Sequence, residues 1–141
     1  MHHSDKTELW HCGVLLVILA ALGCRDSAET SVTAYNEGIA WTRAVDLGDI
    51  VGGENANVAV RIANTRSRPI EVVGGGSGCG CLTVTNYPRQ IPPGSSVVLD
   101  AELVVPKSEG PFDRTLDYYV DNGTLVTATV VVRGNVLSSS R

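Results

Sequence analysis

This chain has little of what most active sites are built from. Its histidines number three, and His2, His3 and His11 all lie close to the N-terminus. Met1 is the only methionine, there is one phenylalanine, and aromatic residues make up 5% of the sequence. A core must therefore be assembled from Val, Ile, Leu and Ala, and the β-branched bias, chiefly valine, favours strands over helices. Acids and bases are interleaved at a net charge of −4. The sequence has no basic stripe alternating with aromatics, so nothing in it reads as a nucleic-acid surface. No window sustains helical periodicity, and no apolar run reaches the ~20 residues of a membrane-spanning helix.

The nearest approach to such a run is Gly13–Gly23, apolar or small throughout and ending at Cys24. Its length suits the apolar segment of a secretory signal, and the polar string Arg25–Thr30 follows at once. Gly23 directly before Cys24 resembles the lipobox of bacterial lipoproteins, which implies lipidation of Cys24 and a new N-terminus there. A plain cleaved signal and a short uncleaved anchor are the alternatives. The lipoprotein reading predicts an extracytoplasmic, membrane-attached protein of the cell envelope, held by its acyl chains. Loss of residues 1–23 removes every histidine, the methionine and Cys12. Histidine is the commonest general base and metal ligand near neutral pH. Without it no hydroxyl or thiol has a visible base, so we expect no enzyme, no cofactor and no small-molecule substrate.

The remaining chain reads as β. Residues 24–43 are expected to be a polar tether, residues 44–135 the folded domain and residues 136–141 a flexible tail. Asn57–Asn64 alternates, with Val58, Val60 and Ile62 on one face and Asn57, Ala59 and Arg61 on the other, as a half-buried strand does. Pro69 opens a strand over Ile70–Val73, where a missing ladder donor is tolerated. Leu82–Thr85, Ser96–Val105, Arg114–Val120 and Thr124–Arg133 are further strands. Asn122-Gly123 tolerates the positive φ angles of a type I′ turn and marks a hairpin. About seven short strands predict an all-β, immunoglobulin-like antiparallel sandwich. Asp100 and Glu102 alternate with Leu99, Ala101 and Leu103, which reads as a solvated outer face and not as paired acid–base catalysts. Open sheet edges suggest a protein partner bound by edge-strand pairing.

Between two of these strands lies Gly74-Gly75-Gly76-Ser77-Gly78-Cys79-Gly80-Cys81-Leu82. The glycines read as a flexible strand connection, since no helix and no lysine follow to make a phosphate loop. On an extended strand Cys79 and Cys81 would have Cα atoms ~6.6–7 Å apart, at the upper limit for a disulfide. A bridge therefore requires a bent backbone, which Gly80 permits. Three readings stand: a local disulfide or thiol pair without function, a redox or mixed-disulfide site, and a soft-metal site for copper or zinc. Zinc normally takes four ligands, so a metal on Cys79 and Cys81 needs donors from elsewhere.

The ordered series of motifs resembles the domain-of-unknown-function family 1573. The pieces are Asp46-Leu47-Gly48-Asp49-Ile50, Gly53-Glu54, Ile62-Ala63-Asn64-Thr65, Pro69-Ile70-Glu71-Val72, Cys79-Gly80-Cys81, Ile91-Pro92-Pro93-Gly94-Ser95, Gly110-Pro111-Phe112 and Val130–Gly134. That family is an immunoglobulin-like module similar to hydin and major-sperm-protein domains. The resemblance implies this fold and an envelope location, and no activity. It usually reads Ser-Ser-Cys-Gly-Cys-Thr where this chain has Gly78 before the pair and Leu82 after it.

Overall fold

A computed structural model of the chain describes residues 33–86 and 89–138. Cys24 and the signal-like segment lie outside the described residues. Ten strands form the fold: β1 (Thr33–Asn36), β2 (Ile39–Thr42), β3 (Ala44–Val51), β4 (Asn55–Asn64), β5 (Ile70–Ser77), β6 (Leu82–Asn86), β7 (Gln90–Ile91), β8 (Ser96–Val104), β9 (Gly110–Asp121) and β10 (Leu125–Leu137). Sheet A has the order β1-β2-β4-β8-β6 and sheet B the order β3-β10-β9-β5-β7. The two pack as an immunoglobulin-like sandwich, as the sequence predicts. Setting aside β1, β2 and the two-residue β7 leaves the seven strands expected.

Alternation builds the core. Val58, Val60 and Ile62 of β4 face Leu99, Ala101 and Leu103 of β8 on the inner side of sheet A. Leu116, Tyr118 and Val120 of β9 and Val126, Ala128, Val130 and Val132 of β10 close it from sheet B. Fully burying a Val, Leu or Ile side chain contributes about 1.5–3 kcal/mol. Asp100 and Glu102 share the outer face of β8 with the exposed Val98 and Val104.

Three boundaries differ from the sequence reading. Ordered strands begin at Thr33, inside the stretch expected to be tether, because Ile39 and Trp41 bury their side chains in the core. At the other end β10 runs to Leu137, past the expected boundary at residue 135. The glycine run, expected to be a loose connection, is strand: Gly74, Gly75 and Gly76 pair with Tyr119, Tyr118 and Asp117 of β9. Gly75 is required by close approach, since a Cβ there would stand 3.0 Å from the Tyr118 ring and 3.0 Å from Val84.

Turn chemistry is also redistributed. The β9–β10 hairpin forms, but its loop spans Asn122-Gly123-Thr124, and of these only Gly123 has positive φ. Asp121 Oδ1 accepts the Gly123 N–H, and Asn122 Oδ1 accepts the Thr124 N–H. The turn with two successive positive φ angles is instead Glu37 (φ 48°) and Gly38 (φ 83°), between β1 and β2. That is the type I′ pattern, which matches the twist of a two-residue hairpin. Asn122 is buried and donates to the Glu37 carbonyl, tying the two hairpins together at one end of the sandwich.

Between β2 and β3 the chain changes sheets. β2 pairs with the upper part of β4, the chain crosses at Arg43, and β3 then runs parallel to the lower part of β10. Here "lower" denotes the end carrying Asn55 and Ser77. Trp41 Nε1 donates to the Thr129 carbonyl (3.0 Å), the Val131 N–H donates to the Arg43 carbonyl (2.9 Å), and the Arg61 N–H donates to Thr42 Oγ1 (3.1 Å).

The buried Tyr118 hydroxyl has no hydrogen-bond partner among the described residues. Burial, helped by the negative charge of Asp100, pushes its pKa from 10.0 up to about 12. A raised pKa means that the folded state holds the proton more tightly than the unfolded chain. That stabilisation is complete below pH 10 and is lost as the pH climbs toward 12. Urea midpoints should therefore fall over this interval, and Tyr118→Phe should remove that part of the pH dependence. The same substitution should raise stability at pH 7 by about 1 kcal/mol, since it deletes an unsatisfied buried hydroxyl. The glycines supply a second check by thermal unfolding. Gly75→Ala should cost about 1–3 kcal/mol through overpacking against Tyr118. Gly76→Ala, with nothing within 4 Å of its added Cβ, should stay within about 0.5 kcal/mol of the parent.

Candidate functional site

β5 ends at Ser77 in sheet B, and the chain turns through Gly78–Cys81 to enter β6 in sheet A. Cys79 and Cys81 are joined by a disulfide within this turn, with their Cα atoms 5.2 Å apart. That separation is shorter than an extended strand allows, so the bend comes with the crossover between sheets. Of the residues named from the sequence, the structure thus brings Cys79 and Cys81 together.

The turn is held at both ends. On one side Ser77 lies opposite Leu116 of β9, and on the other Leu82 lies opposite Leu103 of β8. The Cys81 carbonyl accepts the Val104 N–H at 2.7 Å. Ser77 Oγ is the hub: its hydroxyl reaches the Cys79 carbonyl, the Leu82 carbonyl at 2.9 Å and Cys79 Sγ at 3.8 Å. One hydroxyl proton is thus shared between two carbonyls, with a sulfur beside them. Ser77 also caps the Leu82 oxygen, which would otherwise face outward at the sheet edge.

Both cysteines are half-buried against the core, while Gly78 and Gly80 are exposed. A Cβ at Gly76, Gly78 or Gly80 would meet none of the described residues within 4 Å. The glycine side of the turn thus presents backbone and not side chains among the described residues. In the disulfide neither sulfur is a thiolate ligand. Among the described residues no cluster of three or more His, Cys, Asp or Glu side chains converges on it or anywhere else. A soft metal would need the reduced pair and donors from a second molecule.

The open edges form a second kind of site. In an antiparallel ladder the backbone groups of alternate residues point to opposite sides. The Val104 N–H faces Cys81, so its partner Asn55 on β4 directs its backbone groups away from β8. The Arg61 N–H, bonded to Thr42, fixes the same parity. Asn57 and Ala59 therefore present N–H and C=O outward, along the stretch that β2 vacates when it crosses to sheet B. Sequence reasoning missed this edge because it placed residues 24–43 outside the domain. The alternation of Ile39, Ala40, Trp41 and Thr42 was the available signal.

Other edges are blunted. On β9 the Asp113 carbonyl accepts from Arg114 Nη1 (2.7 Å), and Pro111 lacks an N–H. On β10 the Thr129 carbonyl is taken by Trp41. The pairing of β3 is broken by a register shift between Arg133 and Asn135. At the upper end an open groove of about 360 Å³ is lined by Arg68, Glu71, Gln90 and Asp121 among others. Its Asp121 and Asn122 side chains are engaged by turn N–H groups.

Comparison with known proteins agrees with this architecture. Several solved structures share the fold. The seventh PapD-like (ASH) domain of human CEP192 is 8% identical at a TM-score of 0.59, covering 81% of this chain and 98% of that one. A protein of unknown function from Porphyromonas gingivalis W83 is 16% identical at a TM-score of 0.59, over 70% of this chain and 46% of that one. The Vibrio cholerae VesB protease is 10% identical at a TM-score of 0.60, over 70% of this chain but 32% of the protease. This chain therefore matches less than half the length of the last two, and at such identities the likeness is one of fold alone. No curated protein matches. The family described as "Protein of unknown function (DUF1573)" matches residues 39–136, which run from β2 into the end of β10 and include the Cys79–Cys81 turn, and the chain belongs to that family.

Proposed function

We propose that this protein is a lipid-anchored, non-catalytic module of the cell envelope that binds an extended segment of a partner protein along the lower half of β4. The observation that carries this reading is the edge at Asn57 and Ala59. It offers backbone donors and acceptors beside small, uncharged side chains, without the proline, lysine or bulge that normally protects an edge strand. Strand addition uses such a surface, with main-chain hydrogen bonds supplying affinity. The anchor rests on the sequence pattern that ends at Cys24, and the family contributes no activity of its own.

Ala59→Pro tests the edge. The N–H it removes faces outward, so the ladder to β8 is kept. We expect a melting temperature within a few degrees of the parent and loss of partner cross-linking from a photoreactive residue placed at position 57 in cells. Unchanged cross-linking would exclude strand addition at β4. Intact mass of protein extracted from membranes tests the anchor. An acylated chain beginning at Cys24 is expected, and an unmodified one would overturn that part of the reading.

A second reading is thiol-dependent redox or soft-metal handling through Cys79 and Cys81, favoured by the open glycine flanks of the turn. A ring closed over so few residues should contribute less than about 2 kcal/mol by chain entropy. Replacing both cysteines by serine should therefore lower the melting temperature only slightly and leave cross-linking at β4 intact. A large loss of stability would instead make the bridge a structural pin.

A further inference from the structure

We infer that the Cys79–Cys81 disulfide is polarised for exchange: an incoming thiolate attacks Cys81 Sγ, and Cys79 is the leaving thiolate. This rests on the thiol-dependent reading above and specifies its chemistry. In the step, the electron pair of the incoming R–S⁻ forms an R–S–S–Cys81 bond, the Cys79–Cys81 bond breaks, and the pair departs on Cys79 Sγ. A second thiolate then attacks the sulfur of the bound R group, releasing R–S–S–R and the Cys81 thiolate. The protein disulfide is reduced by two electrons, and two thiols are oxidised.

Two features of the turn make the cysteines unequal. The first is Ser77, whose hydroxyl stands 3.8 Å from Cys79 Sγ. No corresponding donor to Cys81 Sγ is found among the described residues. The Ser77 proton is held by carbonyls of moderate demand, and a charge appearing on Cys79 Sγ would draw it over, since hydrogen bonds to ionised acceptors are roughly twice as strong. Stabilising the departing thiolate speeds exchange at the opposite sulfur.

The second is the backbone. Cys81 is pinned by the Val104 N–H and runs straight into the buried Leu82 of β6. Cys79, held through its carbonyl by Ser77 Oγ alone among the described residues, sits between Gly78 and Gly80, where an added Cβ would meet none of them within 4 Å. Once the ring opens, the flanking glycines let Cys79 Sγ turn from Cys81 toward Ser77 Oγ, while Cys81 stays in place carrying the adduct. The exposed Val104 lies alongside Cys81 as an apolar shelf for whatever the thiol belongs to. Ser77 is thus a positioning residue that acts through Cys79.

The test uses the full chain with Cys12→Ser and Cys24→Ser, so that only the pair can react. The oxidised protein is mixed with reduced glutathione, quenched rapidly with N-ethylmaleimide and mapped by peptide mass spectrometry. The expected product carries glutathione on Cys81 and maleimide on Cys79, in at least five-fold excess over the reverse. Ser77→Ala should bring that ratio toward one, and Ser77→Thr, which keeps the hydroxyl, should retain it. A structural role for Ser77 alone would not move the ratio. Glutathione mainly on Cys79, or equally on both in the parent, overturns the assignment while leaving thiol exchange standing. No adduct in the native protein, with ready reaction after denaturation, overturns the thiol-dependent reading itself.

Discussion

The hydrogen bond from Trp41 Nε1 to the Thr129 carbonyl joins the two sheets at the point where the chain leaves β2 of one for β3 of the other. Much else follows from that crossing. Trp41 fills the seam between β2 and β10, so the core closes without a disulfide between the sheets. The chain emerges at Arg43 in register to bond Val131, which sets β3 parallel to β10. A strand shared between two sheets can cover only half of each neighbour. Among the described residues the upper edge of β10 and the lower edge of β4 are left without a neighbouring strand as a direct result. Trp41 blocks part of the first opening, whereas in the second, among the described residues, Arg61 alone is satisfied, by Thr42.

Most of the sandwich was legible from alternation. Val58, Val60 and Ile62 against Leu99, Ala101 and Leu103 needed no tertiary information, because a two-residue period and one buried face leave a single register. The misreadings cluster where local chemistry and tertiary contact disagree. Gly74–Gly76 has the composition of a loop, yet it is strand, since Tyr118 lies against Gly75 and any larger residue would displace the ring. Asn122-Gly123 has the composition of a two-residue turn, but Asp121 and Asn122 side chains bond the backbone and widen the loop to three. The actual two-residue turn places Glu37 at positive φ, a position no propensity scale assigns to glutamate. It is held there by Arg66 and Asn122, both reaching the Glu37 carbonyl.

The candidate site was legible as a place and not as an arrangement. The pattern Cys79-Gly80-Cys81 identified the turn. Ser77 could not be found that way, since a serine in a glycine-rich stretch carries no distinguishing signal. Its role depends on the chain reversing so that the Leu82 carbonyl returns to it. The β4 edge was hidden for a different reason. Asn57 and Ala59 were correctly placed on the outer face, but whether their backbone groups face a neighbour depends on where β2 ends, and β2 lay in the segment assigned to the tether.

These two sites occupy opposite sides of sheet A. In the order β1-β2-β4-β8-β6, the open stretch of β4 faces the side that β2 vacates, and the Cys79–Cys81 turn leads into β6 at the far edge. Strands in a sheet stand about 4.8 Å apart. A segment added to β4 would therefore be separated from the cysteines by the widths of β4, β8 and β6. Its own side chains could not reach the disulfide, while both sites lie at the same lower end of the sandwich. Such a geometry separates holding from reacting. One partner could stay bound through its backbone while a thiol from another approaches the turn, and substitutions at one site should leave the other unchanged. That independence is why the strand-addition and thiol-exchange readings are not rivals for the same surface, and why the loss of either would leave the other intact.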